Sequence, residues 1–336
     1  MAKSWDRRAG ALMTRKQWLD AGAHSRDLAG PALTKVFPGF HMLSDHPASV
    51  EAMAWTLQNK VLPGSVISHT TAALLWDVPL PLQLEDKVAL LRVDEYGRRR
   101  SSPLSPVSAG ASLRTGAVLP VIHARVPQGA CSSSVRGAAI HRWEPGPSTK
   151  RGKLVLSSPA EVLRELATLL PPWDLVAAAD AVVAGTTECP LTNVADLADH
   201  AARMRGRRGI ARLAAVLPAV RDRSWSPGES IMRLLLAGAE FPEPELNLPV
   251  QERRSGRTRY LDFAWPQAGC VLEYDGDGHR LTKKQWREDE RRRDEITALG
   301  WTIVRANGDD LWRPSRILLR LADELGGRGL EVPDEA

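Results

Sequence analysis

The chain has 336 residues, of which 43% are hydrophobic and 25% are charged, and its formal net charge is +5 with a pI of about 9.3. These values are typical of a globular protein with two or three domains, and the mild basicity permits nucleic acid as a partner without demonstrating one. The first residues, MAKSWDRRAG, lack an apolar signal core, and no apolar run approaches membrane-spanning length. The isolated cysteines exclude a disulfide framework and fit a reducing compartment; they are Cys131, Cys189 and Cys270. We therefore expect a cytoplasmic protein with no membrane partner.

The first predicted elements are two helices and a hairpin. The segment LMTRKQWLDAG predicts a helix that Thr14 caps and Gly22 ends. The segment HSRDLAGPALTKVFPGFHML then predicts a second short helix, a turn at proline and glycine, and two short strands. This order is that of a winged helix-turn-helix, and a simple helical cap accounts for the pattern equally well. We assign residues 1–50 to this module.

Residues 51–221 predict a mixed α/β domain. The sequence SHTTAALLW predicts a buried helix, in which we expect His69 to cap the helix or pack beside Ser68. VALLRV and AVLPVIHARV predict strands, and Ser158 and Glu161 have the spacing of a capping box before an amphipathic helix.

A cluster of five arginines ends this region, within the ten residues of RMRGRRGIAR. Such a cluster is able to bind phosphate groups, and a solvated helix end explains it equally well. Its members are Arg203, Arg205, Arg207, Arg208 and Arg212. The first four are our candidates for nucleic-acid binding.

A third domain, residues 222–330, begins where Ser226 and Glu229 predict a helix N-terminus. Two strand-like runs follow, RYLDFAW and CVLEYD, on either side of the loop PQAG. A long charged helix (282–299), the strand WTIVRA and a final helix (314–326) complete the predicted domain.

The hairpin of this domain brings like charges together. Its four-residue loop pairs Trp265 with Cys270, and counting back along both strands pairs Asp262 with Glu273. Cβ atoms directly opposite each other lie roughly 4.5–5.5 Å apart, where like charges are destabilising. Because side chains alternate along a strand, Asp275 points the same way as Glu273. The other face carries an apolar set that we expect to be core: Leu261, Phe263, Trp265, Leu272 and Tyr274.

Three carboxylates on one face suit a hard cation such as Mg²⁺ or Mn²⁺, which takes oxygen ligands and keeps several waters. A cation there could orient a phosphodiester and lower the pKa of a bound water. A solvated acidic face is the alternative explanation. The residues GDGH add Asp277 and His279 directly after the second strand.

This region resembles the very-short-patch-repair (Vsr-like) nucleases of the PD-(D/E)XK superfamily, and more narrowly the domain of unknown function 559. The resemblance is carried by SPGES, LNLPV, the hairpin with EYDGDGH, and a helix that runs through Asp289 and Arg292 to GW and the strand TIVRA. It implies a restriction-endonuclease-like domain, with a central mixed sheet flanked by helices, that cleaves DNA with the help of a metal ion.

The resemblance also implies roles for individual residues. Asp262 and Glu273 are the implied metal ligands, Glu229 faces the site, and His279 is a candidate general acid or base. Asp275, a third candidate ligand, stands where the superfamily usually has a lysine.

The missing lysine leaves two alternatives. Its role passes to His279 or to a basic residue of the following helix, for which Lys283, Lys284 and Arg292 are the candidates, or the domain is inactive. The same three basic residues are candidates for phosphate contacts, although alternating charge more often marks a solvated helix.

The region before residue 222 resembles the AbiEi antitoxin-type regulators. The residues that carry this resemblance are SHTTAALLW, IHRW and SPAEVLRELATLL. It implies a winged helix-turn-helix joined to an α/β domain, and a cognate toxin encoded nearby as a partner, as in type IV toxin–antitoxin systems. The wing departs mildly from the family, with Phe40 after Gly39 where tyrosine is frequent.

The sequence thus predicts an α/β (α+β) protein that joins a DNA-binding module to a metal-dependent DNA endonuclease, in DNA repair or phage defence. The expected cofactor is Mg²⁺ or Mn²⁺, and the expected partner is DNA. The alternative is a type IV antitoxin-like transcriptional regulator whose nuclease-like domain is catalytically inactive.

Overall fold

The computed structural model describes residues 8–81, 121–127, 129, 135–142, 146–184, 190–252, 256–276 and 283–333, apart from the side chains of residues 283–286, 288 and 289. The predicted strand VALLRV and the candidate residue His279 lie outside the described residues. The chain divides into two compact units, residues 1–171 with 195–215 and residues 172–194 with 216–336. The three domain ranges drawn from the sequence stay predictions.

The first unit begins with two helices and a small sheet. The elements are β1 (Met13–Thr14), α1 (Arg15–Asp20), α2 (Ser25–Leu28), β2 (Leu33–Phe37) and β3 (Phe40–Leu43), and the sheet order is β1-β3-β2. The predicted cap at Thr14 is confirmed, because its Oγ1 accepts a hydrogen bond from the Gln17 N–H at 3.3 Å. Trp18 is fully buried and donates to the His41 carbonyl at 2.9 Å, which anchors α1 to the hairpin.

A five-stranded mixed sheet follows in the same unit. The elements are α3 (Val50–Thr56), a π-helical turn (Leu57–Val61), β4 (Val66–Ile67), α4 (His69–Leu75), β5 (Ile122–Val126), β6 (Ala138–Arg142), β7 (Ser148–Arg151) and β8 (Leu154–Ser157). The strand order is β6-β5-β4-β8-β7, with β5 parallel to β6 and β4 parallel to β8. The predicted buried helix is confirmed as α4, and the predicted strand in AVLPVIHARV is confirmed as β5.

Four helices come next along the chain. They are α5 (Pro159–Leu166), α6 (Pro172–Ala184), α7 (Val194–Arg203) and α8 (Ile210–Val216), of which α6 belongs to the second unit. The predicted capping box in α5 is wrong, because the Ser158 side chain makes no capping hydrogen bond. Glu161 is instead 1% exposed, and its carboxylate forms a buried ion pair with Arg164 at 2.8 Å.

The second unit is built around a four-stranded mixed sheet of order β12-β11-β10-β9. Its elements after α6 are α9 (Pro227–Gly238), β9 (Glu245–Gln251), β10 (Thr258–Trp265), β11 (Cys270–Asp275), α10 (Lys283–Ala298), β12 (Thr302–Asn307), α11 (Gly308–Trp312) and α12 (Ser315–Gly326). β11 runs parallel to β12, and the other two pairings are antiparallel. The helices and strands predicted from Ser226 onwards are confirmed.

Both faces of this sheet are covered. On one face, Phe263, Leu272 and Val304 pack in a cluster that includes residues of α9 and α12. On the other, Ala264 and Val271 pack with Ile296 of α10. Leu261 belongs to this second cluster, so the prediction that it shares a face with Phe263 is wrong. The alternation of side chains between the two faces of the sheet breaks at Asp262. The acidic side of the hairpin therefore faces a helix rather than open solvent.

The chain is thus a mixed α/β protein with mixed sheets in both units. Within the described residues, no helix combines the length and the apolar character that crossing a membrane requires.

Candidate active site

The predicted hairpin register is confirmed by three pairs, Trp265 with Cys270, Ala264 with Val271, and Phe263 with Leu272. The ladder stops before Asp262, whose Oδ2 accepts a hydrogen bond from the Tyr274 N–H at 2.8 Å. The Asp262 carboxylate thus takes the place of a backbone carbonyl as the acceptor for the Tyr274 N–H, at the point where β10 and β11 separate. This local break holds the Asp262 side chain at the edge of a cleft instead of in the sheet.

The strand on the other side of Asp262 is irregular at the same level. β9 pairs with β10 at Leu246 and again at Leu248, but Asn247 between them has a φ of 44° and leaves the ladder. Its Nδ2 donates to Glu229 Oε2 at 2.8 Å and to the Arg223 carbonyl at 2.8 Å. Asn247 therefore connects the sheet to the acidic residue at the start of α9.

Glu229 is fixed by the helix N-terminus that carries it. Ser226 caps α9 by accepting from the Glu229 N–H at 3.1 Å, and Glu229 Oε2 accepts from the Trp225 N–H at 2.9 Å. An acidic side chain in the first turn of a helix is favoured by the helix dipole. The prediction that SPGES starts a helix with Glu229 in its first turn is confirmed.

Gly228 allows α9 to approach the hairpin. A Cβ at this position would lie 2.1 Å from Cε1 of Tyr274, which no side chain contact permits. The absence of a side chain lets the helix start rest on the tyrosine ring, so that Glu229 and Asp262 share one cleft.

Glu273 meets Arg292 of α10. Arg292 Nη2 lies 2.6 Å from Glu273 Oε2 and also donates to the Tyr260 carbonyl at 3.1 Å. The Glu273 side chain is only 12% exposed, and its Oε1 is buried with no hydrogen-bond partner among the described residues. One oxygen of this carboxylate is thus neutralised and the other is left for a further ligand.

The two hairpin carboxylates have raised pKa values. Burial, followed by the charges of Glu273 and Glu229, raises the pKa of Asp262 to about 7, against smaller opposing effects of the Tyr274 N–H and Arg292. Burial also raises the pKa of Glu273, and the nearby Arg292 offsets this only in part. Burial is the first cause of both shifts, and for Asp262 the charges of the neighbouring carboxylates add to it.

Asp262 and Glu229 border an open cleft of about 340 Å³. Its walls include Glu229, Asp262 and Arg292, and the aromatic rings of Trp225 and Tyr260 meet edge to face at 4.8 Å between centroids. Both residues are 42% exposed, and three arginines, Arg257, Arg259 and Arg292, line the cleft beside its two carboxylates.

Asp275 lies apart from this group. It is exposed at the end of β11 and pairs with Arg305 on the neighbouring strand β12. Within the described residues, no three carboxylates gather with their oxygens within 4.8 Å of one another. Asp262 and Glu229 line the cleft, whereas Glu273 lines a second, smaller pocket with Asp275. Arg292 lines both.

The candidate nucleic-acid residues fall in different places. Arg203, Arg205 and Arg208 are exposed and Arg207 is half-buried, all in the first unit, whereas the acidic cleft is in the second. Lys283 and Lys284 begin α10, and their side chains lie outside the described part of the chain, as does His279.

Two features were missed by reasoning from the sequence. Asn247 lies in the LNLPV segment, and its link to Glu229 depends on a backbone break that periodicity does not reveal. A buried cluster of His69, His123 and His141 was missed because the three come from separate segments. The expected packing of His69 beside Ser68 is confirmed, with Nδ1 and Oγ 3.0 Å apart.

Comparisons with known proteins give relatives but no activity. No family model matches the chain, and no solved structure matches it. The chain is similar to the uncharacterized proteins MT2308 and Rv2248 of Mycobacterium tuberculosis, from strains CDC 1551 / Oshkosh and ATCC 25618 / H37Rv. Each is 34% identical over 131 residues, which are 39% of this chain and 48% of the relative. The chain thus spans about half the length of the curated relatives it matches.

Proposed function

We propose that the protein is a metal-dependent DNA endonuclease of the PD-(D/E)XK type, in which Asp262 and Glu273 hold a divalent cation. The observation that carries the proposal is this buried pair of carboxylates, both with raised pKa values, at a break in the sheet beside an open cleft. Buried charges without sufficient counter-charge are costly, and perturbed acidic groups in a cleft mark candidate functional sites.

The donor set fits Mg²⁺ or Mn²⁺. Both cations prefer oxygen ligands, and the buried Oε1 of Glu273 offers such an oxygen without a competing hydrogen bond among the described residues. When bound, such a cation supplies Lewis-acid stabilisation of a phosphodiester and a water of lowered pKa. Asp275, paired with Arg305, stays a candidate outer ligand.

The remaining residues of the cleft would orient the substrate. Arg292 lies against Glu273 and, among the described basic residues, would take the role of the superfamily lysine. When a metal ion binds Glu273, the Arg292 guanidinium would be released to bind a phosphate oxygen. Glu229, held by Asn247 and the Trp225 N–H, would accept a hydrogen bond from a cation-bound water. His279 stays a candidate general acid or base.

The DNA contacts would come from basic residues in both units. The exposed Arg203, Arg205 and Arg208, with the half-buried Arg207, form the candidate phosphate-binding cluster of the first unit. Lys283 and Lys284, at the start of α10, are the candidates of the second unit. The two helices and hairpin of residues 13–43 would act as the winged helix-turn-helix.

One observation favours a second function, an antitoxin-like transcriptional regulator with an inactive nuclease-like domain and a toxin partner. Glu273 and Asp275 each already have an arginine counter-ion, Arg292 and Arg305. A site that neutralises itself in this way requires no metal to be stable. The regulator would bind a promoter and leave DNA uncut.

Cleavage of supercoiled plasmid in the presence of Mg²⁺ or Mn²⁺ separates the two functions. The endonuclease converts supercoiled DNA to nicked or linear forms, and chelation of the metal stops the reaction. We expect Asp262→Asn and Glu273→Gln each to lower the cleavage rate by about 1,000-fold, because each removes metal-dependent stabilisation of several kcal/mol.

A matched control is Asp294→Asn, which removes an exposed carboxylate on α10 and should leave the rate unchanged. If the wild-type protein cuts neither duplex, mismatched nor single-stranded DNA with either metal, the endonuclease proposal fails. Specific binding to a promoter fragment that survives Asp262→Asn would then support the regulator.

A further inference from the structure

Three histidines meet in the interior of the first unit, far along the chain from the acidic cleft. His69 begins α4, His123 lies on β5 and His141 lies on β6. Each offers one ring nitrogen, and the three nitrogens lie within 4.8 Å of one another. Imidazole nitrogen is a favoured ligand of zinc and other borderline transition metals.

The ring nitrogens are close enough to be drawn onto one ion, although two of the rings are stacked face to face. His123 Nδ1 and His141 Nε2 are 3.0 Å apart, and the rings of His69 and His141 stack with centroids 3.6 Å apart and planes 13° from parallel. Two nitrogens bound to the same tetrahedral zinc at about 2.0–2.1 Å are separated by about 3.3 Å. Binding would move the His123 and His141 nitrogens apart by only a few tenths of an ångström, and it would require the His69 ring to turn out of its stack on His141, because the in-plane lone pairs of parallel rings do not meet at one ion.

The backbone at His69 is held in an unusual conformation. Its φ is 52°, in the left-handed region that few residues with a side chain adopt. The conformation is fixed by Glu165, whose Oε2 accepts from the His69 N–H at 2.7 Å and which is itself fully buried. Strain of this kind persists where surrounding structure enforces it and clusters at ligand sites. Here it turns the imidazole of His69 onto that of His141.

The ring of His69 also has a partner that would support metal binding. Ser68 Oγ lies 3.0 Å from His69 Nδ1, and Ser68 is fully buried. Metal-binding histidines usually use one ring nitrogen for the ion and the other for such a hydrogen bond, which fixes the ring orientation. His69 Nδ1 also lies 3.8 Å from Glu165 Oε2, so the ring has a second buried polar neighbour that helps to fix its orientation.

We propose that His69, His123 and His141 form a structural zinc site in the first unit. The exposed fractions of the three side chains are 1%, 0% and 8%, so no substrate reaches the ion and its role is to fasten elements together. It would join α4 to β5 across residues 76–121, and β5 to β6 across residues 127–137. A cross-link over long connections stabilises the folded state by restricting the unfolded chain. The inference is independent of the endonuclease proposal.

The site should select zinc over the cation of the cleft. Three neutral nitrogen donors suit Zn²⁺, whereas Mg²⁺ binds oxygen and retains its waters. The competing explanation is a network in which a single proton joins His123 to His141, with no metal affinity. Zinc and the proton occupy the same space between those two nitrogens, so direct metal binding distinguishes them.

The test uses the full chain, stripped with a strong chelator and titrated with Zn²⁺ in excess Mg²⁺. We expect one zinc per chain by atomic emission, a higher melting temperature in zinc, and, when Co²⁺ replaces zinc, the intense visible bands of four-coordinate cobalt bound by three imidazole nitrogens and one further ligand. The Asp262→Asn, Glu273→Gln double variant should bind the same single zinc, which separates this site from the cleft.

Substitutions in the cluster should weaken zinc binding to two different degrees. His123→Asn and His141→Asn each remove a ligand and should weaken zinc binding by about 100-fold or more, and Ser68→Ala, which removes only the hydrogen bond to the His69 ring, by about 10-fold. His46→Asn, at an exposed histidine of the same unit, is the matched control and should bind as the wild type does.

Two results would overturn the proposal. The first is wild-type protein that retains no zinc and whose melting temperature zinc does not change. The second is zinc binding that survives His141→Asn with undiminished affinity. If the histidine variants fail to fold, the Co²⁺ spectrum of the wild type decides, because weak bands of six-coordinate cobalt would exclude the nitrogen site.

Discussion

Each unit of the protein contains a buried acidic cluster, and the two are balanced differently. In the first unit, Glu161 lies 2.8 Å from Arg164, 3.3 Å from Arg125 and 3.2 Å from His200. Burial alone would raise the pKa of Glu161, but its contacts with His200, Arg164 and Arg125 outweigh burial, so that its pKa lies below the ordinary value. In the second unit, Asp262 faces two other carboxylates, and its pKa is raised to about 7.

This difference separates a structural use of buried charge from a functional one. A carboxylate surrounded by cations stabilises the native state it belongs to, and its loss leaves those cations unpaired. A pair of carboxylates with one arginine between them has a charge deficit that a divalent cation would correct. A raised pKa by itself does not distinguish the two clusters, because burial also raises the pKa of Glu165, which lies beside the same arginines as Glu161, to about 7; the number of counter-charges distinguishes them.

The largest effect on stability is expected in the first cluster. Glu161→Gln should lower the free energy of unfolding by about 3–5 kcal/mol, because it leaves Arg164 and Arg125 buried without their carboxylate. Urea unfolding followed by circular dichroism measures the change. The control is Asp77→Asn, which breaks an exposed pair with Arg151 and should cost about 0–1 kcal/mol. Equal losses in the two variants would contradict the structural role of Glu161.

A smaller effect is expected where α9 meets the hairpin. Gly228→Ala should lower the free energy of unfolding by about 1–3 kcal/mol, because the new Cβ would overlap the Tyr274 ring. Gly238→Ala, at the other end of α9 with no atom within 4 Å of a Cβ, is the control and should be neutral or stabilising by up to about 1 kcal/mol. A neutral Gly228→Ala would show that the helix start does not rest on the ring.

The charge deficit of the cleft should make stability depend on pH. In the absence of divalent cations, native Asp262 holds a proton up to about pH 7, because its pKa is raised to about 7, whereas the unfolded chain releases it near the ordinary pKa of 3.8. Stability from this group is therefore present at low pH and is lost as pH rises through that interval. Unfolding at pH 5 and pH 8 with a chelator should show Asp262→Asn gaining stability relative to the wild type as pH rises. A pH-independent difference would exclude the raised pKa.

The smallest effect is expected at Asp275. Asp275→Asn breaks an exposed pair with Arg305, so it should change the free energy of unfolding by about 1 kcal/mol or less, and the cleavage rate by about tenfold or less. Nicking assays beside Asp262→Asn measure the contrast. A loss as large as that of Asp262→Asn would make Asp275 a full ligand and would require the strand end to move toward the cleft.

Much of the second unit follows from its sequence. The loop length of the hairpin determined the pairing of Trp265 with Cys270, and Ser226 determined the start of α9, because both depend on local chemistry. The position of Leu261 did not follow, since the bulges around Asp262 and Asn247 reverse the alternation that periodicity assumes.

Contacts between segments far apart in the chain could not be predicted from the sequence. The capping-box spacing of Ser158 and Glu161 is real, but the carboxylate is drawn to Arg125 and His200, which are 36 and 39 residues away. Likewise, the histidine cluster joins three segments whose pairing only the sheet order β6-β5-β4 reveals. Local patterns predicted elements and the acidic hairpin, whereas the counter-charges that decide its role came from tertiary packing.

The central claim, that the cleft holds a divalent cation, is tested most directly by Mn²⁺ binding to the wild-type chain and to the Asp262→Asn, Glu273→Gln double variant. Electron paramagnetic resonance of free Mn²⁺ measures the bound fraction, with zinc present throughout so that the histidine cluster does not contribute. The account predicts one Mn²⁺ bound per wild-type chain and none bound by the double variant at the same concentration. Equal binding by the two proteins, or no binding by either, would contradict it.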